Sequence, residues 1–260
     1  MTKTPWALVL GASSGIGAAA AIELARAGMH IFGVHLDRRD TLPRAREVES
    51  AIAALGREVV FFNGNAADDA RREEFTASMA ARLAGGAGTV RVLLHSIAFG
   101  ALKPLTGEGA VPKKQLELTA DVMGHSLVYW VNALLAAGLM EHSGRIFAMT
   151  SGGARKAIPL YGPVGAAKAL VEAHVRQLAL ELAPRGITVN AIQAGVTETP
   201  ALRAIPGHER LAEFARARNP HGRLTRPEDV ARAIAALSHE DTYWITGNTI
   251  RVDGGEETVG

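Results

Sequence analysis

Seven short runs rich in apolar and β-branched residues punctuate this 260-residue chain, at Trp6–Leu10, His30–His35, Glu58–Phe62, Val90–His95, Gly144–Met149, Ile187–Ile192 and Thr249–Val252. Longer alanine- and leucine-rich stretches with helical spacing separate them: one that ends at Gly28, then Arg44–Leu55, Asp68–Leu83, Leu116–Met140, Val164–Ala183 and Pro227–Leu237. This alternation is the tightest constraint in the sequence. Parallel strands need long crossovers between them, and strands buried on both faces read as unbroken apolar runs. The rhythm predicts an α/β fold, a doubly wound seven-stranded parallel sheet with helices on both faces, in one domain spanning 1–260. Gly28 is the expected C-terminal cap of the first helix, and Pro227 stands at a first-turn position where a missing N–H costs nothing. No low-complexity linker or shift in composition divides the chain.

Composition narrows the function classes. The 28 Lys and Arg residues against 26 Asp and Glu leave a formal charge of +2, interspersed along the chain, which gives no case for a nucleic-acid surface. The absence of cysteine excludes disulfides, a thiolate nucleophile and cysteine-ligated metal, and fits a reducing cytoplasm. The nine histidines are scattered without a His-x-x-x-His pair, so no metal is expected. Lys3 followed by the apolar stretch Trp6–Ala21 superficially resembles a secretory leader, but Gly11, Gly15, Gly17 and the Ser13–Ser14 pair interrupt it. No run of about 18 apolar residues occurs, so no membrane span is expected and a cytoplasmic protein is the working assumption.

Gly11-Ala-Ser-Ser-Gly15-Ile-Gly17 follows the first strand and opens the first helix. Glycines there let the backbone turn tightly against a pyrophosphate, whose charge the helix N-terminus favours. This spacing resembles that of the short-chain dehydrogenase/reductase family, a single-domain Rossmann-type fold, and further features agree along nearly the whole chain. Asn65-Ala66 stands where the family has an Asp-hydrophobic pair against the adenine, and Arg251-Val-Asp-Gly-Gly255 is similar to its C-terminal strand and turn. By that resemblance Gly11, Ser13, Ser14, Gly15, Ile16, Gly17, Asn65 and Ala66 bind a dinucleotide. At the end of the second strand, where an acid would select NADH, the residue is His35. Arg38 and Arg39 just beyond can pair with a 2′-phosphate and favour NADPH, while Asp37 among them can serve the ribose and leaves NADH open.

Tyr161-Gly-Pro-Val-Gly-Ala-Ala-Lys168 carries the most specific signal. Seven helical residues turn through about 700°, returning Tyr161 and Lys168 to one face two turns apart. Most of the family uses a spacing of four, but the residue four before Lys168 is Val164, which cannot donate a proton. The longer interval resembles the bacterial enoyl-acyl carrier protein reductases, a divergent branch of the fold. Lys156-Ala-Ile-Pro-Leu-Tyr161, Ala169-Leu-Val-Glu-Ala-His-Val-Arg176, Val189-Asn-Ala-Ile-Gln-Ala-Gly195 and His95-Ser-Ile-Ala-Phe-Gly100 are all similar to that branch.

The resemblance implies roles. Hydride from NAD(P)H would reach the β-carbon of a trans-2-enoyl thioester. Tyr161 would hydrogen-bond the enolate oxygen, and Lys168 would hold the nicotinamide ribose and lower the tyrosine pKa. Ser151, seventeen residues before Lys168, is the expected partner hydroxyl, with Thr150 the alternative. Ser96, Ile97 and Ala98 would pass beneath the cofactor, Thr197 and Gly195 would meet the carboxamide end, and Thr199 the pyrophosphate. His95 reads as a sheet-end residue rather than a base. Alignment through Asp121-Val122 puts Met123 where alcohol dehydrogenases of the fold carry a relay asparagine, and Asn132, about 900° further along the helix, faces away.

The Gly- and Pro-rich patches that follow strand ends, 99–120 and 195–218, are expected substrate loops, the second with a mobile part near Ala201–Gly207. Arg203, Arg210, Arg216 and Arg218 could meet an acidic acyl carrier protein or simply face solvent. The expected assembly is a homotetramer built on the long helices and last strand. The competing functions are a carbonyl reductase acting on a 3-oxoacyl thioester and a nucleotide-binding regulator without catalysis.

Overall fold

The computed structural model describes residues 4–86 and 88–259. The strands are β1 (Thr4–Leu10), β2 (His30–His35), β3 (Val59–Asn63), β4 (Gly88–His95), β5 (Arg145–Ser151), β6 (Thr188–Ala194) and β7 (Thr249–Val252). They form one seven-stranded sheet in the order β3-β2-β1-β4-β5-β6-β7, with every pairing parallel. The expected Rossmann-type sheet is therefore present, and each strand lies within two residues of its expected bounds. Strand order reverses between β1 and β4, whose ends meet at Leu10 and His95, and a crevice opens beyond the carboxyl ends at such a reversal.

Helices α1 (Gly15–Arg26), α2 (Leu42–Ala54) and α3 (Asp69–Leu83) alternate with the first strands. After β4 come α4 (Lys113–Ala120) and α5 (Ser126–Ala136), then α6 (Gly162–Leu182), α7 (Pro200–Arg203), α8 (His208–Arg218) and α9 (Pro227–Leu237). One face of the sheet packs Leu24, Val48, Ile52, Val230 and Ile234 from α1, α2 and α9. The other packs Phe75 and Met79 from α3 against Leu127, Trp130, Val171 and Val175 from α5 and α6. Both faces of the central strands are thus covered, which is why they carry unbroken apolar runs.

Two expectations need correction. The helix expected over Leu116–Met140 is two, joined by one π-helical turn at Asp121–His125, and it ends at Ala136 because Gly138 takes a positive φ of 64°. The expected substrate loops are partly helical. The first, 99–120, ends in α4, and the second, 195–218, contains α7 and α8. Thr199 caps α7 by accepting from the Leu202 N–H at 3.2 Å, with Pro200 at the first position, and Leu211, Phe214 and Ala215 give α8 an apolar face. The Thr-Pro pair was the available signal for a helix start.

The turn between β1 and α1 depends on backbone contact. A Cβ on Gly17 would stand 2.0 Å from the Gly11 carbonyl oxygen, and one on Gly11 would stand 2.3 Å from that of Ser96. Gly17→Ala forces these segments apart and is expected to cost about 1–3 kcal/mol. Urea denaturation of the two proteins measures it; an unchanged midpoint would contradict the close approach.

Candidate active site

A cavity of about 790 Å³ opens beyond the ends of β1, β4, β5 and β6, within the range typical of small-molecule sites. Gly11, Ser13, Ser14, Gly15 and Ile16 line one end. Ser14 is the N-cap of α1 but makes no side-chain cap bond, and the first turn has no acidic residue, so its hydroxyl and the helix N–H groups remain available to an anion. Gly11 and Gly15 take positive φ values of 88° and 55°, which glycine adopts without strain. The cradle fits a pyrophosphate. Gly17 is outside the cavity lining; it lies under the turn and permits its shape.

His35, Asn65 and Ala66 line the adjoining wall. The Asn65 side chain accepts from the Ala67 N–H at 3.0 Å, and Trp130, fully buried, donates its ring N–H to the Ala66 carbonyl at 2.8 Å. His35 bonds Asp37 through Nδ1 at 2.8 Å. Burial works against the Asp37 charge, but hydrogen bonds from Ser13, Thr41 and His35 outweigh it and hold the carboxyl below its ordinary value. That carboxylate is therefore already engaged within the protein. Arg38 and Arg39 are exposed and lie outside the cavity lining, at the end of β2 beside His35.

Tyr161 immediately precedes α6 as its N-cap, and its hydroxyl lies 3.4 Å from Ser151 Oγ. Ser151 ends β5, and its Oγ also accepts the Gly153 N–H at 3.0 Å. Thr150, the alternative hydroxyl, donates instead to the buried Glu172 at 3.0 Å, so the structure brings Ser151 rather than Thr150 to the tyrosine. Lys168 is 5% exposed, and its ammonium donates to the carbonyls of Met149 at 2.8 Å and Ile97 at 3.1 Å. Burial lowers its pKa from the ordinary value to about 8. The expectation that Lys168 draws the tyrosine pKa down is not met. Burial pushes the Tyr161 phenol up, and the hydrogen bond from Ser151 opposes it.

The residue that leads into Tyr161 is strained. Leu160, directly before it, holds a φ of 63°, a left-handed conformation that costs a residue with a Cβ about 1–2 kcal/mol. Ser96, Ile97 and Ala98 line the cavity, as do Gly195, Thr197 and Thr199. The Thr197 hydroxyl donates to the Gly195 carbonyl at 2.8 Å, and Thr199 packs against Gly15, joining the α7 segment to the phosphate turn. His95 is fully buried, bonded to Ser126 at 2.8 Å and lowered to about 3 by burial and then by the Lys168 charge, so it stays neutral. Met123 is buried in the cavity wall, whereas Asn132 is exposed and lies outside that wall.

Several lining residues escaped sequence reasoning. Glu256 is buried and accepts the Val196 N–H at 3.0 Å, while burial holds its carboxyl above the ordinary value. Glu257 pairs with Lys156 across the cavity wall. Phe214 and Leu211 from α8 add apolar surface. Nothing local marks Glu256 and Glu257, which the placement of β7 brings in, whereas Leu211 and Phe214 fall within the expected 195–218 loop without having been singled out.

The fold and the cavity are those of the short-chain dehydrogenase/reductase superfamily. Within it, the sequence model of the family described as enoyl-(acyl carrier protein) reductase matches residues 11–257, and the chain belongs to that family. It is 33% identical over 176 residues to the NADH-type enoyl-acyl carrier protein reductase FabI of Aquifex aeolicus, a match that spans 66% of this chain and 64% of that enzyme. The solved structure of the enoyl-acyl carrier protein reductase from the same organism superposes with a TM-score of 0.83 at 27% identity, covering 100% of this chain and 98% of the other. The NADPH-type FabI of Staphylococcus aureus is 33% identical over 173 residues, 66% of this chain and 67% of that one. The trihydroxynaphthalene reductase PfmaI of Pestalotiopsis fici is 29% identical over 259 residues, 95% of this chain and 88% of that one.

Two measurements check this geometry. Because the Lys168 pKa is lowered in the folded protein, the unfolded chain binds the extra proton between about pH 8 and 10.5, and this group contributes rising stability across that window. Lys168→Met is expected to remove that rise from the pH dependence of unfolding. Leu160→Gly relieves the left-handed strain, so it should leave the melting temperature within a few degrees of the parent while turnover falls as the phenol loses its fixed aim; a large loss of stability with full turnover would contradict this.

Proposed function

We propose that the chain reduces the carbon–carbon double bond of a trans-2-enoyl thioester, the step catalysed in fatty-acid elongation on acyl carrier protein. The observation that carries this reading is the pairing of a half-buried Tyr161, whose phenol is pushed up by desolvation, with a buried Met123 where an alcohol dehydrogenase of the fold would have its relay asparagine. Reduction of a carbonyl requires the phenol to surrender its proton to an alkoxide and recover it through a relay. Reduction of the enoyl double bond requires only that the phenol hydrogen-bond the thioester oxygen as charge gathers there. A phenol raised by burial suits the second task. A nicotinamide cofactor, when bound, would supply the hydride for the β-carbon. Ser151 orients the Tyr161 hydroxyl, the Lys168 ammonium, braced on Met149 and Ile97, would hold the ribose hydroxyls, and the α-carbon would be protonated from solvent.

The preferred cofactor in this reading is NADPH, with NADH accepted less well. Asp37 is engaged by Ser13, Thr41 and His35, while Arg38 and Arg39 are exposed cations without an ion pair among the described residues. The acyl chain would lie among Leu202, Ile205, Leu211 and Phe214. Arg210 and Arg216 on α8 face solvent and suit an acidic carrier, whereas Arg203 is paired with Glu198 and Arg218 lies over Phe214. A cytoplasmic homotetramer completes the reading. No helix among the described residues is long and apolar enough to cross a membrane.

The second reading, reduction of a 3-oxoacyl thioester or another ketone, is favoured by one feature: the Ser151–Tyr161 hydroxyl pair can polarise a ketone directly. Oxidation of NADPH and NADH at a wavelength of about 340 nm, with trans-2-enoyl and 3-oxoacyl thioesters side by side, separates the two. Turnover of the enoyl substrate, reduced about 10²–10³-fold in Tyr161→Phe, is the expected result. Turnover of the 3-oxo substrate alone would overturn it, and cofactor binding without either turnover would favour a regulator. The double substitution of Arg38 and Arg39 by Ala should raise KM for NADPH about tenfold and leave NADH unchanged, the loss of about 1.4 kcal/mol of charge pairing.

A further inference from the structure

Helix α8 turns one stripe of side chains toward the main cavity. Leu211, Phe214, Ala215 and Arg218 all line it, at positions i, i+3, i+4 and i+7 of one helical face, while Arg210, Glu213 and Arg216 are exposed. Three apolar residues therefore lead to a cation, set about 10 Å along the helix axis from Leu211. A hydrocarbon chain accounts for the first three. It leaves the arginine without a reason to be there.

Three Lys and Arg side chains line this cavity, and two have partners or a task. Lys168 is braced on the Met149 and Ile97 carbonyls beside Tyr161, and Lys156 is paired with Glu257. Arg218 is half-buried and has no ion pair among the described residues. Its guanidinium lies 5.3 Å over the Phe214 ring and donates one N–H to the Val259 carbonyl, while Nε is buried without an acceptor. The acids near it are occupied. Asp253 accepts the Gly255 and Glu257 N–H groups at 2.9 and 3.1 Å, and Glu256 accepts the Val196 N–H at 3.0 Å. Burial, assisted by the charges of Asp253 and Glu257, holds the Glu256 carboxyl above its ordinary value in spite of the Arg218 charge.

The backbone that Arg218 holds also reaches the reacting end of the cavity. Val259 lies just beyond Glu257, whose partner Lys156 is on the segment that leads to Tyr161. Glu257 Oε1 lies 2.8 Å from where a Cβ on Gly152, next to Ser151, would stand. One strap of chain thus joins the guanidinium to the wall that carries the two hydroxyls.

We infer that the acyl chain of the substrate carries a carboxylate that pairs with Arg218, so that the preferred thioester is that of a dicarboxylic acid. The inference rests on the proposed thioester reductase activity and names the class of acyl chain. The hydrocarbon lies along Leu211, Phe214 and Ala215, and its carboxylate takes the guanidinium donors that the protein leaves unused. A chain that ends in a methyl group leaves a half-buried charge against an apolar wall without an anion, which costs free energy.

The test compares trans-2-enoyl N-acetylcysteamine thioesters of increasing acyl length, each ending in a methyl group, a carboxylate or the methyl ester of that carboxylate, with the parent protein, Arg218→Leu and Arg218→Lys. At the length that spans Tyr161 and Arg218 the parent is expected to show a KM about tenfold lower for the carboxylate than for its methyl ester, and shorter chains should show no such gain. Arg218→Leu should erase the gain and Arg218→Lys should keep part of it. A parent indifferent to the carboxylate at every length overturns the inference while leaving the reductase reading standing. So does an equal gain at all lengths, or an Arg218→Leu protein that weakens all three end groups alike and keeps the gain. If 3-oxoacyl thioesters turn over instead, the same comparison is made on them, and the gain then supports the carboxylate site although the enoyl reading falls. If neither class turns over, calorimetry of the saturated thioesters on the NADPH-loaded protein decides. Tighter binding of the carboxylate, lost in Arg218→Leu, supports the site, and equal binding of carboxylate and methyl ester overturns it.

Discussion

The site is organised around one buried ammonium. Lys168 sits on α6, 5% exposed, and a charge in that position requires acceptors. Two carbonyls provide them, Met149 within β5 at 2.8 Å and Ile97 just beyond β4 at 3.1 Å. These strands are neighbours in the sheet, so one side chain ties together two strand ends and the helix that follows them. The cavity floor and the Tyr161 helix are therefore positioned together. Burial that is only partly offset leaves the ammonium with a pKa of about 8, a charge that can respond to a bound group.

A second buried ionic group supports the first. Glu172 lies one helical turn after Lys168 and accepts from Thr150 at 3.0 Å and from Arg155 at 3.1 Å. Thr150 stands between Met149, which bonds Lys168, and Ser151, which faces Tyr161. Fixing Thr150 therefore fixes both neighbours, and fixing Arg155 holds the segment that leads to the strained Leu160 and to Tyr161. A carboxylate with two donors tolerates burial that an unpaired one would not.

Much of this was legible in order along the chain. Continuous apolar runs with helical stretches between them specify a parallel sheet because both faces of each strand must be covered. Gly11, Gly15 and Gly17 marked the tight turn between β1 and α1, because Gly11 and Gly17 permit backbone approaches that a Cβ would block and Gly15 takes a positive φ. Helical angle put Asn132 on the face opposite Met123, and Asn132 is exposed where Met123 is buried. Glu172, Glu256, Glu257 and Trp130 were not legible as parts of the site. Each acts on a residue distant in sequence: Trp130 on Ala66, Glu256 on Val196, Glu257 on Lys156 and Glu172 on Thr150.

By itself the sequence determined the sheet, the glycine turn between β1 and α1 and the chemical identity of the Tyr161, Lys168 and Ser151 groups, because periodicity, glycine placement and residue type are local properties. Tertiary structure alone decided which hydroxyl faces the tyrosine, that the Asp37 carboxylate is engaged, and that the phenol is raised rather than lowered. Those outcomes depend on burial and on partners brought from other strands and helices. Desolvation and hydrogen bonding act through space, so no spacing along the chain encodes them.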